Sequence, residues 1–142
     1  MSGDDPYAFD NRRLRLLSSN ARTEMGCPPF GPIFALGAAV DYLSGIGIDQ
    51  IAERVLALNM YLTFRLGRAS LEVLSPGGEH RSGETLVRLP APARAREFLL
   101  ERGVHVTGKP EGVRISTHCY NSEEDVDACV AALVAYRERL LL

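Results

Sequence analysis

The first half of the chain carries apolar residues at helical spacing. Residues 33–44 repeat them every three or four positions, which predicts a first helix, and Gly45 and Gly47 end it. A second helix is predicted from Asp49, a favourable N-terminal cap, to about residue 66. Its apolar stripe consists of Ile51, Val55, Leu58, Leu62 and Leu66.

The pattern changes to alternating apolar and polar residues after residue 70. It predicts strands over residues 71–74, 85–89, 104–106 and 113–116, with a short helix over 93–102 between the second and third strands. Asn121, with Glu124 three positions later, resembles a capping box and opens a last helix. The resulting order α, α, β, β, α, β, β, α predicts an α+β fold, with a small, mostly antiparallel sheet covered by helices on one face.

Composition limits the class of protein. The chain has 142 residues, 46% hydrophobic and 24% charged, with a formal net charge of −2. These values fit one globular domain, and they argue against disorder and against binding nucleic acid through bulk charge. No apolar stretch approaches the roughly 20 residues of a membrane helix, and the start of the chain shows no signal peptide. Three cysteines without a CxxC spacing predict reduced thiols in a cytoplasmic protein.

Few residues suggest chemistry by their spacing alone. The three histidines are scattered, although His118 beside Cys119 offers two metal-ligand types. Cys27 lies in a loop rich in proline and glycine, where a nearby helix N-terminus would activate a thiol. Lys109 is the single lysine, but its Lys-Pro-Glu-Gly turn is typical of a solvated surface rather than of a Schiff-base site.

Arg114 is the strongest single candidate. It stands between Val113 and Ile115 in a predicted strand, so its side chain faces opposite to theirs. An arginine in such a strand needs an anion, and a ligand carboxylate suits its two-pronged guanidinium. An internal salt bridge with one of the 18 acidic residues is the alternative, and the residues alone favour it.

Three stretches resemble a known family in one collinear register over about residues 8–137. Residues 22–28 read R-T-E-M-G-C-P, followed by L-G-A-A-V-D-Y-L at 36–43 and I-G-I at 46–48. Residues 113–127 read V-R-I-S-T-H-C-Y-N-S-E-E-D-V-D. Together with R-S-G at 81–83, these resemble the R-F-E-x-G-T-P, LGAA and R-x-S-x-x-x-YN-(T/S)-x-E segments of class V aminotransferases, a family that includes cysteine desulfurases and isopenicillin N epimerase-like proteins.

The resemblance implies part of a pyridoxal-phosphate enzyme of fold type I. Residues 22–142 correspond to the C-terminal small α+β domain, preceded by an N-terminal arm over residues 1–21. The large cofactor domain, with its Schiff-base lysine, has no counterpart in this sequence and would lie upstream of Met1. Lys109 does not match that lysine, so whether this chain is an enzyme is left open.

The resemblance assigns roles to three residues. Arg114 matches the arginine that holds the α-carboxylate of the amino-acid substrate. Gly26 and Cys27 match a Gly-Thr pair that contacts the cofactor phosphate of the partner subunit, but cysteine replaces the threonine hydroxyl. The loop before Arg114 has no cysteine where desulfurases carry one, which favours an epimerase-like or aminotransferase-like branch.

These expectations define one principal hypothesis and two rivals. The principal one is a C-terminal substrate-carboxylate-binding domain, inactive alone, that is either a truncated gene product or the partner of a separate large-domain chain. The rivals are a stand-alone α+β domain that binds a small carboxylate or a partner, and an enzyme centred on Cys27. Gly37 in the first helix costs about 1 kcal/mol relative to alanine, so we expect close packing there against another backbone. We also expect a homo-oligomer and exposure of Phe30, Ile33 and Phe34.

Overall fold

A computed structural model describes residues 26–140, which divide into two compact units at Gly45 and Ile46. The first unit contributes helix α1, Phe30–Ile46. This helix buries none of its residues, and its large apolar side chains are exposed around its circumference: Phe30, Ile33, Phe34, Leu36, Val40, Tyr42, Leu43 and Ile46. The predicted exposure of Phe30, Ile33 and Phe34 is therefore confirmed.

The second unit is a helix-covered antiparallel sheet, which confirms the predicted α+β class. Its elements are listed here in chain order: α2 (Ile48–Arg68), β1 (Glu84–Arg88), α3 (Pro92–Leu100), β2 (Thr107–Lys109), β3 (Gly112–Ser116) and α4 (Glu123–Arg139). The strand order is β1-β3-β2, and both pairings are antiparallel. β3 is therefore the central strand, which gives Arg114 a neighbour on each side.

The core lies on one face of this sheet. Val87, Val113 and Ile115 point into the core cluster; α2 packs against β1, α3 packs against β3, and α4 packs against both of these helices. The stripe Leu58, Leu62 and Leu66 of α2 is almost fully buried against them, as the apolar spacing predicted. Buried Asn59 donates from Nδ2 to Thr85 Oγ1 at 2.8 Å, so one hydrogen bond within the core joins α2 to β1.

Gly83 permits close contact between α2 and the start of β1. A Cβ atom at this position would lie 2.6 Å from Val55 Cγ1 and 3.3 Å from the Thr117 carbonyl oxygen. The first distance is shorter than any normal carbon–carbon contact, so a side chain here would force the Val55 side chain or its helix to shift. Thr117 completes the junction, since its Oγ1 donates to the Gly83 carbonyl at 3.1 Å.

Two predicted strands differ from the observed ones. Residues 71–74 form only an isolated bridge, Val73 to Val87, because the hydroxyl of Ser75 accepts the Leu86 N–H that a longer ladder would use. Residues 104–106 are irregular, because the Val104 N–H bonds back to Leu99 at the end of α3. The strand forms instead at Thr107–Lys109, where Thr107 faces Arg114.

The predicted cap of α4 also requires correction. Ser122, not Asn121, caps α4: its side chain accepts from the Asp125 N–H, and the Asp125 carboxylate accepts from the Ser122 N–H. Asn121 instead accepts the His118 N–H and stabilises the preceding turn. At Gly37, a Cβ atom would meet nothing within 4 Å among the described residues, so the expected packing against another backbone stays a prediction.

Candidate carboxylate-binding site

Arg114 lies on the face of the sheet opposite to the core. Its neighbours in register are Leu86 on β1 and Thr107 on β2, and Glu84 lies diagonally on the same face. The Arg114 side chain is 35% exposed, so ligands in solvent can reach it. The prediction that this side chain faces away from Val113 and Ile115 is confirmed.

The ion pair of Arg114 is incomplete. Its Nη1 lies 3.3 Å from Glu84 Oε1 and 3.5 Å from Oε2, longer than the roughly 2.7–2.9 Å of a strong charge-assisted hydrogen bond. Its Nε is buried and has no hydrogen-bond partner among the described residues. The Nε N–H therefore has an unmet hydrogen bond, and a carboxylate can meet it only when the side chain shifts to expose this atom, while Glu84 partly balances the charge at Nη1.

The other predicted residues, Gly26 and Cys27, belong to the first unit. Gly26 adopts a φ of +94°, a left-handed conformation that favours glycine, and Cys27 is exposed. Both precede α1. The rest of the matching segment, Arg22 to Met25, lies outside the described residues. The predicted boundary between the N-terminal arm and the small domain, between residues 21 and 22, also lies outside them.

The other candidate chemistry does not form a larger cluster. His118 Nδ1 lies 3.3 Å from Cys119 Sγ, and its ring stacks on Tyr120. Within residues 26–140, however, no three potential metal ligands come together. Cys129 is buried in the core, and this burial raises the pKa of its thiol to about 12, so it stays protonated and unreactive.

A second ionic cluster lies between α2 and α4, and sequence reasoning missed it. Asp127 accepts hydrogen bonds from Arg65 and from the Tyr61 hydroxyl, and Arg65 also contacts that hydroxyl. Both hydrogen bonds lower the pKa of the Asp127 carboxyl, and the one from Arg65 has the larger effect. The helical spacing of Tyr61 and Arg65 was visible in the sequence, but their partner lies 62 residues beyond Arg65.

The described residues fit only the periphery of a pyridoxal-phosphate site. Gly26 and Cys27 offer backbone amides, and Cys27 offers a thiol in place of a hydroxyl. Lys109 is exposed at the end of β2, not in the buried environment that makes a lysine amine nucleophilic.

No single helix among the described residues is long and apolar enough to cross a membrane. Only α1 and α2 counted together, across their break at Gly47, reach the required length and hydropathy.

Comparison with curated proteins gives several relatives. The chain is 33% identical to isopenicillin N epimerase of Amycolatopsis lactamdurans over 92% of its own length and 35% of that protein. It is 34% identical to a cysteine desulfurase of Klebsiella pneumoniae over 84% of its length and 33% of that protein. The chain thus spans about a third of the length of these relatives.

Solved structures show the same fold. A cysteine desulfurase from Thermococcus onnurineus superposes with a TM-score of 0.79 at 20% identity, covering 96% of this chain and 38% of that one. A NifS-like protein superposes with a TM-score of 0.62 at 20% identity, over 80% of this chain and 35% of that one. The family profile of class-V aminotransferases matches residues 7–129. The chain therefore belongs to the class-V aminotransferase family.

Proposed function

We propose that this chain is the C-terminal domain that binds the substrate carboxylate in a pyridoxal-phosphate-dependent, class V aminotransferase-like protein. The main support for this proposal is that the buried Nε of Arg114 has no hydrogen-bond partner among the described residues. A carboxylate bound at this N–H would supply the missing hydrogen bond. The family membership makes the α-carboxylate of an amino acid the natural ligand.

The neighbours of Arg114 hold the guanidinium for such a ligand. Leu86 and Thr107 flank its aliphatic stem on the adjacent strands, and Glu84 contacts Nη1 from one side. Once a shift of the side chain exposes Nε, a carboxylate can make a bidentate contact with Nε and an adjacent Nη, which would fix the plane of the ligand. A strand positions such a contact more rigidly than a loop does.

The hairpin before Arg114 supports an epimerase-like or aminotransferase-like branch rather than a desulfurase. β2 and β3 are joined by only Pro110 and Glu111, and no residue from Thr107 to Gly112 is a cysteine. This tight turn has neither the length nor the thiol of a sulfur-carrying loop. The curated relatives include both an epimerase and desulfurases at similar identity, so the argument rests on the hairpin.

The cofactor contact and the partners belong to the same proposal. Pyridoxal phosphate, when bound in such proteins, stabilises negative charge at the α-carbon of an amino acid. Gly26 and Cys27 would contribute a contact to its phosphate, and the apolar surface of α1 would be covered by a separate large-domain chain or by a second copy. The chain alone would then be inactive and form no covalent adduct with the cofactor. Reduction with borohydride followed by mass measurement tests this, and an adduct on Lys109 would contradict it.

Ligand binding tests the role of Arg114. L-alanine is titrated into the chain and followed by amide chemical shifts. We expect Arg114→Lys to weaken binding about tenfold, because lysine cannot reproduce a planar two-pronged contact. Arg88→Lys is the matched control, since Arg88 lies on the same face but is already paired with Glu72 at 2.8 Å. Equal affinities for the wild type and Arg114→Lys would overturn the proposal.

A further inference from the structure

The central strand β3 is paired along only part of one edge. All five of its residues pair with β1, whereas only residues 112–114 pair with β2. Beyond the strand, Thr117 donates its backbone N–H to the Gly83 carbonyl on the β1 side at 2.9 Å. Successive residues of an antiparallel ladder direct their hydrogen bonds to opposite sides. The N–H and C=O of Ser116 therefore point away from β1, to the side on which β2 lies.

The segment that would continue the pairing with β2 bends away from Ser116. Thr107 is in register with Arg114, so a longer ladder would place His105 opposite Ser116. Residues 104–106 are irregular instead, because the Val104 N–H donates to the Leu99 carbonyl. Within residues 26–140, Ser116 forms no backbone hydrogen bond on this side. One main-chain donor and one main-chain acceptor are therefore open at this edge of the sheet.

A cavity of about 430 Å³ lies at the same point. Its volume is in the range of pockets that hold small ligands. Residues 104–106 form one wall, and residues 116–117 with the start of α4 form the other. The floor consists of buried apolar side chains of the core: Leu62, Ile115, Val126 and Cys129. The open groups of Ser116 thus stand at the wall of a cavity with an apolar floor.

These features fit a peptide in an extended conformation. A peptide residue in the position that His105 leaves open would exchange two main-chain hydrogen bonds with Ser116, as in the addition of a strand to a sheet edge. Directly paired residues point to the same face of a sheet, so the side chain of that residue would lie beside the Ser116 side chain. The next residue of the peptide would point to the opposite face, where the apolar floor lies.

We infer that this cavity binds an extended segment of another protein, with main-chain hydrogen bonds to Ser116 and a large apolar side chain of the adjacent residue on the floor. The opening is one ladder position wide, between the paired Thr107 and the turn that starts at His118. It therefore accommodates a single extended strand rather than the edge of a second folded sheet, such as that of a second copy. The site does not include Arg114, so it is independent of the proposed function.

Blocked dipeptides test the main-chain and side-chain contacts separately. Acetyl-alanyl-leucine methylamide is titrated into the whole chain, and we expect the amide chemical shifts of His105 and Ser116 to change. Acetyl-alanyl-glycine methylamide should bind at least about tenfold more weakly, because it places no apolar side chain on the floor. An analogue of the leucine probe with an ester oxygen in place of the alanyl N–H should bind about three- to tenfold more weakly, since it lacks one hydrogen bond to Ser116.

Two variants each remove one contact from the protein side. Ser116→Pro deletes the N–H that faces the cavity, and proline is tolerated where the N–H of an edge position is unpaired. Ala128→Phe fills the cavity from an exposed position of α4. We expect each variant to bind the leucine probe at least about threefold more weakly. Ser116→Ala, which keeps the N–H, and Ala131→Phe, which lies on α4 outside this cavity, are the matched controls and should bind it as the wild type does.

Hydrogen exchange gives an independent check. In the free chain, the Ser116 amide should exchange much faster than the Thr117 amide, which is bonded to Gly83, and the leucine probe should slow it. Equal protection of the two amides in the free chain would show a closed edge and overturn the inference. Equal affinities for the leucine and glycine probes, or unchanged binding in Ala128→Phe, would also overturn it, and this second variant decides the question if Ser116→Pro does not fold. An oligomer that dissociates in Ser116→Pro would identify a second copy as the occupant and contradict the inference.

Discussion

Arg114 Nη1 lies 3.3 Å from Glu84 Oε1 on the exposed face of the sheet, while Arg114 Nε has no partner among the described residues. The pair is half-exposed, with 35% of the Arg114 side chain and 52% of the Glu84 side chain accessible. Exposed pairs of this kind contribute about 0–1 kcal/mol to stability. Glu84 therefore orients the guanidinium more than it stabilises the fold, and its carboxylate competes with any carboxylate ligand.

Removing that competitor should strengthen binding. We predict that Glu84→Gln raises the affinity for L-alanine by about two- to fivefold, because a neutral amide forms no ion pair with the Arg114 guanidinium and competes less with the ligand. Titration followed by amide chemical shifts measures the change. Glu72→Gln, which frees Arg88 instead, should leave the affinity unchanged. A weaker binding in Glu84→Gln would show that the carboxylate is needed to position Arg114.

Arg114 should contribute little to the stability of the chain. We predict that Arg114→Ala and Arg114→Lys change the free energy of unfolding by less than about 1 kcal/mol, as at most surface positions. Val113→Ala, on the buried face of the same strand, should cost more because it leaves a cavity. Urea titrations compare the three variants. A loss of about 3–5 kcal/mol from Arg114→Lys would identify a structural ion pair.

The cluster of Arg65, Tyr61 and Asp127 should make the free energy of unfolding depend on pH in the acidic range. The pKa of the Asp127 carboxyl is lower in the folded chain than its ordinary value of about 3.9, chiefly because Arg65 donates a hydrogen bond to it. Its contribution is therefore complete above about pH 4 and is lost as the pH falls through the folded pKa. We predict that unfolding free energy falls less steeply below about pH 4 in Asp127→Asn. Tyr61→Phe, which removes only the weaker hydrogen bond, should behave more like the wild type.

The effects on stability of replacing Asn59 and Thr85 should be strongly non-additive, because the two side chains share a buried hydrogen bond. Thr85→Val leaves the Asn59 amide buried without its acceptor, so we expect a loss of about 1–3 kcal/mol. Adding Asn59→Leu should recover part of that loss, because both polar partners are then replaced by apolar groups. Urea titrations of the two single variants and the double variant form a double-mutant cycle. Additive losses would show that the hydrogen bond contributes nothing specific.

The exposed apolar side chains of α1 should promote self-association. A helix that is apolar around its circumference normally lies inside a larger assembly. We predict that the chain forms dimers or higher oligomers and binds a dye specific for apolar surfaces. Phe34 is 75% exposed, and Phe34→Glu should reduce both effects. Glu53→Gln, outside α1, is the control. A monomer without dye binding across a concentration series would contradict this prediction.

Sequence patterns located the elements whose apolar spacing is regular. The stripe of α2 and the outward direction of Arg114 follow from local periodicity, and both are confirmed. The errors occur where a hydrogen bond outside the pattern decides the structure. The Ser75 hydroxyl interrupts pairing with β1, and Leu99 takes the Val104 N–H away from the sheet.

The details of the site depended on side-chain geometry that sequence patterns do not contain. Arg114 was expected to face either a ligand or an internal acid, and it is partnered with Glu84 while its Nε remains without a partner. Glu84 and Arg114 are 30 residues apart, so only the register of β1 and β3 brings them together. Residues at this separation give no local signal of contact.

Gly83 has a consequence for how this part of the chain can be recombined with its relatives. Because any side chain at position 83 would collide with Val55, α2 and the strand that follows are fitted to each other. A chimera whose crossover falls between α2 and β1 would take the helix surface around Val55 from one parent and the residues just before β1 from another. Crossovers before α2 keep the fitted pair intact. The Arg-Ser-Gly sequence thus marks a segment that is exchanged successfully only together with its helix.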